Sequence, residues 1–160
     1  MKTIVRLLAC AAACVAVWAA DGPAQPVPFS HKEHAGTLKL QCKMCHPSPD
    51  PGESMTIVPP SVCMQCHSEI KADSQAIQKL AEYARQGKPV PWVRIYQIPG
   101  WVDFSHRAHL EAGNACQGCH GKVAERDVLY REVNLNMVTC MGCHTNKKAN
   151  VQCNFCHEER

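Results

Sequence analysis

The chain has 160 residues, with 17 Lys and Arg against 14 Asp and Glu, which gives a formal net charge of +3. Two of the basic residues, Lys2 and Arg6, lie in a segment expected to be removed, and the near balance of the others excludes a nucleic-acid interface built on positive charge. Three Trp, three Tyr and three Phe are too few for an ordinary core, whereas 12 Cys and 9 His are unusually many.

The first 19 residues are predicted to be an export signal. Lys2 and Arg6 precede an apolar run, Leu7 to Ala20, that is too short to span a bilayer, and the small residues Val17 and Ala19 predict cleavage after Ala19. A lipidated cysteine in this segment and an uncleaved membrane anchor are the alternatives. After cleavage the mature chain has no transmembrane span of its own. We expect it in the periplasm or outside the cell, either free or associated with a membrane.

A six-residue phrase occurs twice, as FSHKEH at residues 29–34 and as FSHRAH at residues 104–109. This repeat indicates a duplicated unit.

Each copy is followed by the pentapeptide C-x-x-C-H, which occurs at residues 42–46, 63–67, 116–120, 140–144 and 153–157. The pentapeptide is the signature of covalent c-type haem attachment, because two thiols on one tight turn can reach the vinyl groups at one porphyrin edge and the next imidazole can bind the iron. Zinc knuckles and disulfides also use Cys-x-x-Cys, but neither needs the following His.

We therefore predict five covalently attached haem c groups. The residues expected to form thioethers are Cys42, Cys45, Cys63, Cys66, Cys116, Cys119, Cys140, Cys143, Cys153 and Cys156, and the expected proximal iron ligands are His46, His67, His120, His144 and His157. The porphyrins supply the apolar volume that the few aromatic residues do not. The expected fold class is therefore mostly α with little regular secondary structure, stabilised by cofactor binding.

The stretch between the second and third motifs is predicted to hold one helix and one connector. Ser68 to Gln86 is predicted to be helical, with Ile77 and Leu80 on one face and Gly87 at its end. Lys88 to Gly100 contains three prolines among apolar residues and is predicted to be an extended connector whose aromatic rings pack on haem faces. The expected domains are the signal at 1–19, a dihaem module with its trailing helix at 20–87, the connector at 88–101 and a trihaem module at 102–160.

The four histidines outside the pentapeptides all lie in the two repeated phrases, at His31, His34, His106 and His109. Low-spin haem iron takes a sixth ligand, and two imidazoles three positions apart on a helical turn point in different directions. Each phrase is therefore predicted to supply distal ligands to two haems and to hold those haems close together.

Residues 102 to 160, with F-x-H-x-x-H followed by three C-x-x-C-H motifs, resemble a trihaem member of the class III multihaem cytochromes c. The resemblance implies that His106 ligates the haem on Cys116 and Cys119, and that His109 ligates the haem on Cys140 and Cys143. In such proteins a further His just before the second motif ligates the last haem, and this chain has Met137 there. The implied distal ligand of the haem on Cys153 and Cys156 is thus Met137.

Three alternatives for the fifth iron stay open. Met137 packs as a core residue, Met55 is the ligand instead, or the iron is open or bound to water. In the first half, His31 is expected to serve the haem on Cys42 and Cys45, and His34 the haem on Cys63 and Cys66.

A narrower resemblance lies in the connector. The sequence PWVRIYQIP at residues 91–99, which runs into the second repeated phrase, is similar to pentahaem and hexahaem subunits of membrane quinone oxidoreductase complexes, with those of alternative complex III and the menaquinone reductases nearest. The similarity spans roughly residues 28 to 144. It implies redox proteins, including subunits of such a complex, as partners.

The predicted function is single-electron transfer between redox partners by an extracytoplasmic pentahaem cytochrome c that is not itself an enzyme and has no nucleic-acid partner. A Met ligand in place of a His raises the potential of its haem, so four lower-potential centres and one higher-potential end are expected. The alternatives are a multihaem reductase with an open haem iron and a subunit of an extracellular cytochrome filament.

The haem count can be measured directly. We expect the exported protein to begin at Ala20 and to have an intact mass that includes five haem increments, and the Cys153→Ala, Cys156→Ala double variant to have four. No increment, or fewer than five in the unaltered chain, would contradict the motif interpretation.

Overall fold

The computed structural model describes residues 22–47 and 54–157, so the expected export signal lies outside the described residues. Within these ranges the chain is helical and its helices are short. They are a π-helix at Lys32–Thr37, a 3₁₀-helix at Val123–Glu125, and the α-helices α1 (Cys42–Cys45), α2 (Pro60–His67), α3 (Gln75–Arg85), α4 (His106–Glu111), α5 (Gln117–His120), α6 (Met137–Asn146) and α7 (Cys153–Cys156). β-Structure in the described part is limited to one isolated antiparallel bridge between Val102 and His157. The prediction of a mostly α chain with little regular secondary structure is confirmed.

Serine hydroxyls begin the two turns of the repeated phrase. The Ser30 hydroxyl accepts a hydrogen bond from the Glu33 backbone N–H at 3.1 Å, and the Ser105 hydroxyl accepts one from the Ala108 N–H at 3.3 Å. Such bonds satisfy backbone donors that a helix start leaves without a partner. The first phrase continues as the π-helix and the second as α4.

The helix predicted for Ser68 to Gln86 is shorter than expected and begins at Gln75. Lys71 has a backbone φ of +56°, which interrupts a right-handed helix, and the Ser74 hydroxyl then caps the new helix by accepting the Ile77 N–H at 3.2 Å. The predicted end is correct, because Gly87 adopts a φ of +62° just after α3.

Few apolar side chains are buried. Among the described residues the buried hydrophobic cluster consists of Val27, Leu80 and Val90, which pack together where the amino-terminal segment, α3 and the connector meet. Trp92 of the connector packs against this cluster, and its ring also contacts Phe29 at 6.4 Å between centroids. A core of this size buries little apolar area, as expected for a chain that gains its stability from bound cofactor.

The two halves of the chain meet at the first repeated phrase. The π-helix packs on the 3₁₀-helix, and the Lys32 backbone N–H donates to the Arg126 carbonyl oxygen at 2.9 Å. Ser30 donates from its hydroxyl to the Asp127 carboxylate at 2.7 Å. Gly36 lies so close to the 3₁₀-helix that a Cβ there would overlap the Ala124 carbonyl oxygen.

Among the described residues, no helix has the length and apolar character needed to cross a membrane.

The close approach at Gly36 predicts the effect of a single added methyl group. Gly36→Ala should lower the free energy of unfolding by about 1–3 kcal/mol, the usual cost of overpacking, although alanine is the better helix former. Thermal unfolding of the holoprotein measures this change. Gly100→Ala is the matched control, because a methyl group there meets no atom within 4 Å. Equal melting temperatures for the two variants would show that the halves do not meet at Gly36.

Candidate haem-binding sites

The structure brings the four histidines of the repeated phrases into four facing pairs with histidines of the C-x-x-C-H motifs. Two pairs have nearly parallel rings and two have tilted rings. Each half of the chain contains one pair of each kind. The distances between ring centroids and the angles between ring planes are 6.2 Å and 6° for His31–His46, 6.3 Å and 8° for His106–His120, 6.0 Å and 54° for His34–His67, and 6.0 Å and 46° for His109–His144.

These separations fit one metal ion between each pair of rings. Two metal–imidazole bonds of about 2 Å, with roughly 1 Å from each nitrogen to its ring centre, place two ring centres about 6 Å apart. A pair of rings in direct stacking contact would lie closer together. The partners are also those implied by the resemblance to class III cytochromes, with each phrase serving two successive motifs.

Backbone carbonyls orient six of the nine histidine rings in the described residues. In these six the ring Nδ1 lies against a carbonyl oxygen, which can only accept, so Nδ1 is the donor and Nε2 is the nitrogen left to face a metal. Contacts of this kind orient metal-binding imidazoles. The contacts are His34 to Ser30 (2.8 Å), His46 to Thr56 (3.1 Å), His67 to Ile70 (2.9 Å), His109 to Ser105 (2.7 Å), His144 to Asn150 (2.6 Å) and His157 to Trp101 (3.3 Å).

Burial keeps His31 and His120 neutral. Burial, and then the nearby rings of His46 and His34, lower the pKa of His31 to about 4. Burial, and then His106 and His46, also lower the pKa of His120. The buried Nδ1 of His31 has no hydrogen-bond partner in the described part of the chain. Both rings are therefore uncharged at neutral pH, as a metal-ligating imidazole must be.

The phenylalanine of each phrase separates its two histidines. The Phe29 ring stacks on His34 at 4.3 Å and meets His31 edge-on at 4.8 Å. In the second phrase Phe104 stacks on His109 at 4.6 Å and meets His106 edge-on at 4.8 Å. No role was predicted for these phenylalanines from the sequence. Their recurrence in both copies of the repeated phrase was the feature that could have indicated that they position the neighbouring histidines.

The fifth motif is arranged differently. In the described residues no second imidazole faces His157, whose motif is instead joined to the segment before α4 by the bridge to Val102 and by a hydrogen bond from the Asp103 N–H to the Cys156 carbonyl at 2.8 Å. Met137 is the first residue of α6, directly after the capping Asn136, and its side chain is 64% exposed. Met55 lies in the segment between α1 and α2 and is partly buried. The structure thus supplies two imidazoles for four motifs and one for the fifth.

Helix α3 forms one wall of a cavity of about 400 Å³ beside the second motif, which sequence analysis did not anticipate. The cavity is also lined by Met64 and His67, which belong to that motif. The residues of α3 on this side include Ile77, Gln78, Ala81 and Arg85.

The connector holds the third motif through Tyr96. The Tyr96 ring meets His120 edge-on at 4.8 Å, and its hydroxyl oxygen accepts hydrogen bonds from the backbone N–H groups of Glu132 (3.0 Å) and Val133 (3.2 Å). The Glu132 carboxylate in turn accepts from Arg126 and from the Lys122 backbone N–H, and these bonds lower its pKa. The loop after the third motif is therefore tied to the connector and closed on itself.

The donor set suits haem. The ten motif cysteines are free thiols, and no group of three or more His, Cys, Asp or Glu side chains in the described ranges could hold a metal ion. A metal held by only two protein ligands takes its other ligands from another molecule, and a porphyrin supplies four. Apolar side chains inside the motifs, Met44, Met141 and Phe155, are exposed by 57%, 43% and 55%, and a porphyrin on its own motif would contact them.

Comparisons with known proteins give matches to both halves. The family model for class III cytochrome c matches residues 12–90, and the model for cytochrome c7 and related cytochromes c matches residues 102–158. The chain is 30% identical to the menaquinone reductase multihaem cytochrome c subunit of Nitratidesulfovibrio vulgaris, over 84% of this chain and 77% of that protein.

The Tyr96 hydroxyl provides a test of how the connector positions the third motif. Tyr96→Phe leaves the two N–H groups of Glu132 and Val133 without their acceptor, so we expect a loss of about 1–3 kcal/mol in the free energy of unfolding, measured with denaturant on the holoprotein. Tyr130→Phe is the control, because the Tyr130 hydroxyl makes no hydrogen bond within the described residues. If both variants were equally stable, Tyr96 would not tie the connector to this loop.

Proposed function

The chain belongs to the class III multihaem cytochromes c, and we propose that it is an extracytoplasmic pentahaem electron carrier that passes single electrons between redox partners. The observation that supports this most strongly is the set of four facing imidazole pairs, each about 6 Å from centre to centre. Each pair joins a repeated phrase to a C-x-x-C-H motif. The same motif occurs a fifth time with its own imidazole, His157.

The protein residues that would hold the haems are the ten motif cysteines as thioethers and the nine histidines as iron ligands. When bound, the haems supply one-electron chemistry, in which a ferrous iron is oxidised as a ferric neighbour is reduced and no covalent bond forms or breaks. The chain's own contribution is to orient the imidazoles. The carbonyl contacts at Nδ1, the two phenylalanines of the repeated phrases and Tyr96 beside His120 orient these rings before a partner binds. We assign no catalytic residue to this chain.

Two modules joined by a connector complete the proposal. Residues 20–87 form the dihaem module with its trailing helix, residues 88–101 form the connector, and residues 102–160 form the trihaem module. This division is supported by the contacts of Trp92 with Phe29 and of Tyr96 with His120, through which the connector touches residues of both modules.

The partner is proposed to be a membrane quinone oxidoreductase, either as a complex that contains this chain or as a redox partner that binds it. The support is the similarity to a menaquinone reductase subunit, which extends over both modules. The export signal predicted for residues 1–19 would place the chain on the outer side of the membrane.

We assign Met137 as the distal ligand of the fifth haem. It occupies the exposed first position of α6, and no imidazole in the described ranges competes for the place opposite His157. A thioether ligand raises the potential of its haem, so the fifth centre is the highest of the five.

The assignment of Met137 can be tested by redox titration. Met137→His should lower the highest of the five midpoint potentials and leave the other four nearly unchanged, because imidazole stabilises ferric iron better than a thioether does. The far-red absorption band of methionine-ligated ferric haem should disappear in the same variant. Met55→Leu is the control and should change neither measurement.

Other results would contradict the proposal in specific ways. An unchanged titration for Met137→His would exclude Met137, and a change with Met55→Leu would transfer the ligand to Met55. A high-spin ferric signal in the electron paramagnetic resonance spectrum of the unaltered protein would indicate an open iron and would favour the reductase alternative. Filaments in electron micrographs of concentrated protein would favour a structural role.

A further inference from the structure

The contact between the two halves brings the first motif, rather than the second, towards the third. The turn that begins at His31 packs on residues 123–127, which follow directly after the third motif and its His120. The Lys32 N–H donates to the Arg126 carbonyl, and Asp127 accepts from Ser30 and pairs with Lys32 at 3.4 Å. His31 itself faces His46 of the first motif.

The second motif lies away from this contact. It forms part of α2, which packs on α3, and Cys63 and Met64 contact the buried cluster of Val27, Leu80 and Val90. In the described ranges no hydrogen bond or ion pair joins α2 or α3 to any residue beyond 101. The second motif is thus connected to the others through the turn that it shares with the first motif, where His34 faces His67.

The cysteines of the first three motifs follow the same arrangement. The Cys63 thiol of the second motif lies within electrostatic range of Cys45 of the first motif, and burial and then Cys45 raise its pKa. The Cys116 thiol of the third motif likewise lies within electrostatic range of Cys42 of the first motif, and burial and then Cys42 raise its pKa. The first motif therefore has Cys45 near the second motif and Cys42 near the third.

The fourth motif lies next to the third, and the fifth lies next to the fourth. Burial, and then Cys143 and Cys140 of the fourth motif, raise the pKa of Cys119, and burial, and then Cys156 of the fifth motif, raise the pKa of Cys140, so these thiols lie within electrostatic range of one another. The shared turn of α4 also joins the third and fourth motifs, because His106 faces His120 and His109 faces His144. The fifth motif is bonded to residues 101–103 of its own half.

From these contacts we infer that the motifs lie in space in the order second, first, third, fourth, fifth. The second and fifth motifs, Cys63–His67 and Cys153–His157, are then the two ends of the electron path, and the module junction is the step between the first and third haems. The order rests on the proposed function, because such a path exists only when all five motifs hold haem. It reverses the first two motifs relative to their order in the chain.

Nuclear Overhauser spectra of the fully reduced holoprotein test this order, because low-spin ferrous haem is diamagnetic and protons in neighbouring thioethers give cross-peaks. We expect cross-peaks between the Cys42 and Cys116 side chains and between those of Cys45 and Cys63. None should join the second motif to the third. Cross-peaks between Cys42 and Cys45, which share one haem, are the internal control.

A matched pair of variants gives a second measurement. His31→Met and His34→Met should each raise the potential of one haem, the first and the second respectively. That haem is then reduced at a higher potential. Because reduction removes one positive charge from it, the midpoint potentials of its nearest neighbours become lower. The third haem, followed by its methyl proton shifts, should respond more to His31→Met than to His34→Met.

The opposite results overturn the inference. Cross-peaks that join the second and third motifs, with none between Cys42 and Cys116, would show that the motifs follow the order of the sequence. A larger response of the third haem to His34→Met would show the same. The intact mass of the same sample separates the two proposals, since fewer than five haems would refute the proposed function, whereas five haems with the wrong contacts would refute only the order.

Discussion

Each facing imidazole pair has to be held about 6 Å apart by two segments that are separate in the sequence. For the first pair these segments are the turn at His31 and the motif that ends at His46, and for the second they are the same turn and His67. One short turn therefore sets the positions of two sites at once. A shift of that turn by one residue would misplace both rings, which explains why it is fixed by a serine cap, a wedged phenylalanine and contacts with the other half of the chain.

The duplication preserved this geometry closely. The near-parallel pairs differ by 2° in ring angle and the tilted pairs by 8°, although the two turns differ in helix type. What diverged is the sequence after the second motif of each half. The first half continues into α3, which covers its own second motif, and the second half continues into the fifth motif. The repeat thus accounts for the facing imidazole pairs, and the later segments make the two halves different.

Much of this arrangement could be predicted from the sequence, because covalent haem sites and their ligands are defined by short motifs. The family and the mostly α fold are confirmed, and the imidazoles expected to share an iron do face each other, while their ligation and that of Met137 stay predictions. Other features had no such signal. The late start of α3 depends on the backbone of Lys71, and the meeting of the halves depends on the space left by Gly36 beside Ala124. Both are properties of tertiary packing, which periodicity and spacing do not reveal.

The carbonyl oxygens that accept from the histidine rings belong to Thr56, Ile70, Trp101 and Asn150, and to the serines of the two phrases. A main-chain acceptor is present whatever amino acid occupies the position. A substitution at 56, 70, 101 or 150 therefore keeps the acceptor of the histidine ring as long as the backbone path is kept. Relatives can for this reason differ in sequence at these positions while the rings keep their orientation, whereas a change in loop length would move the acceptor.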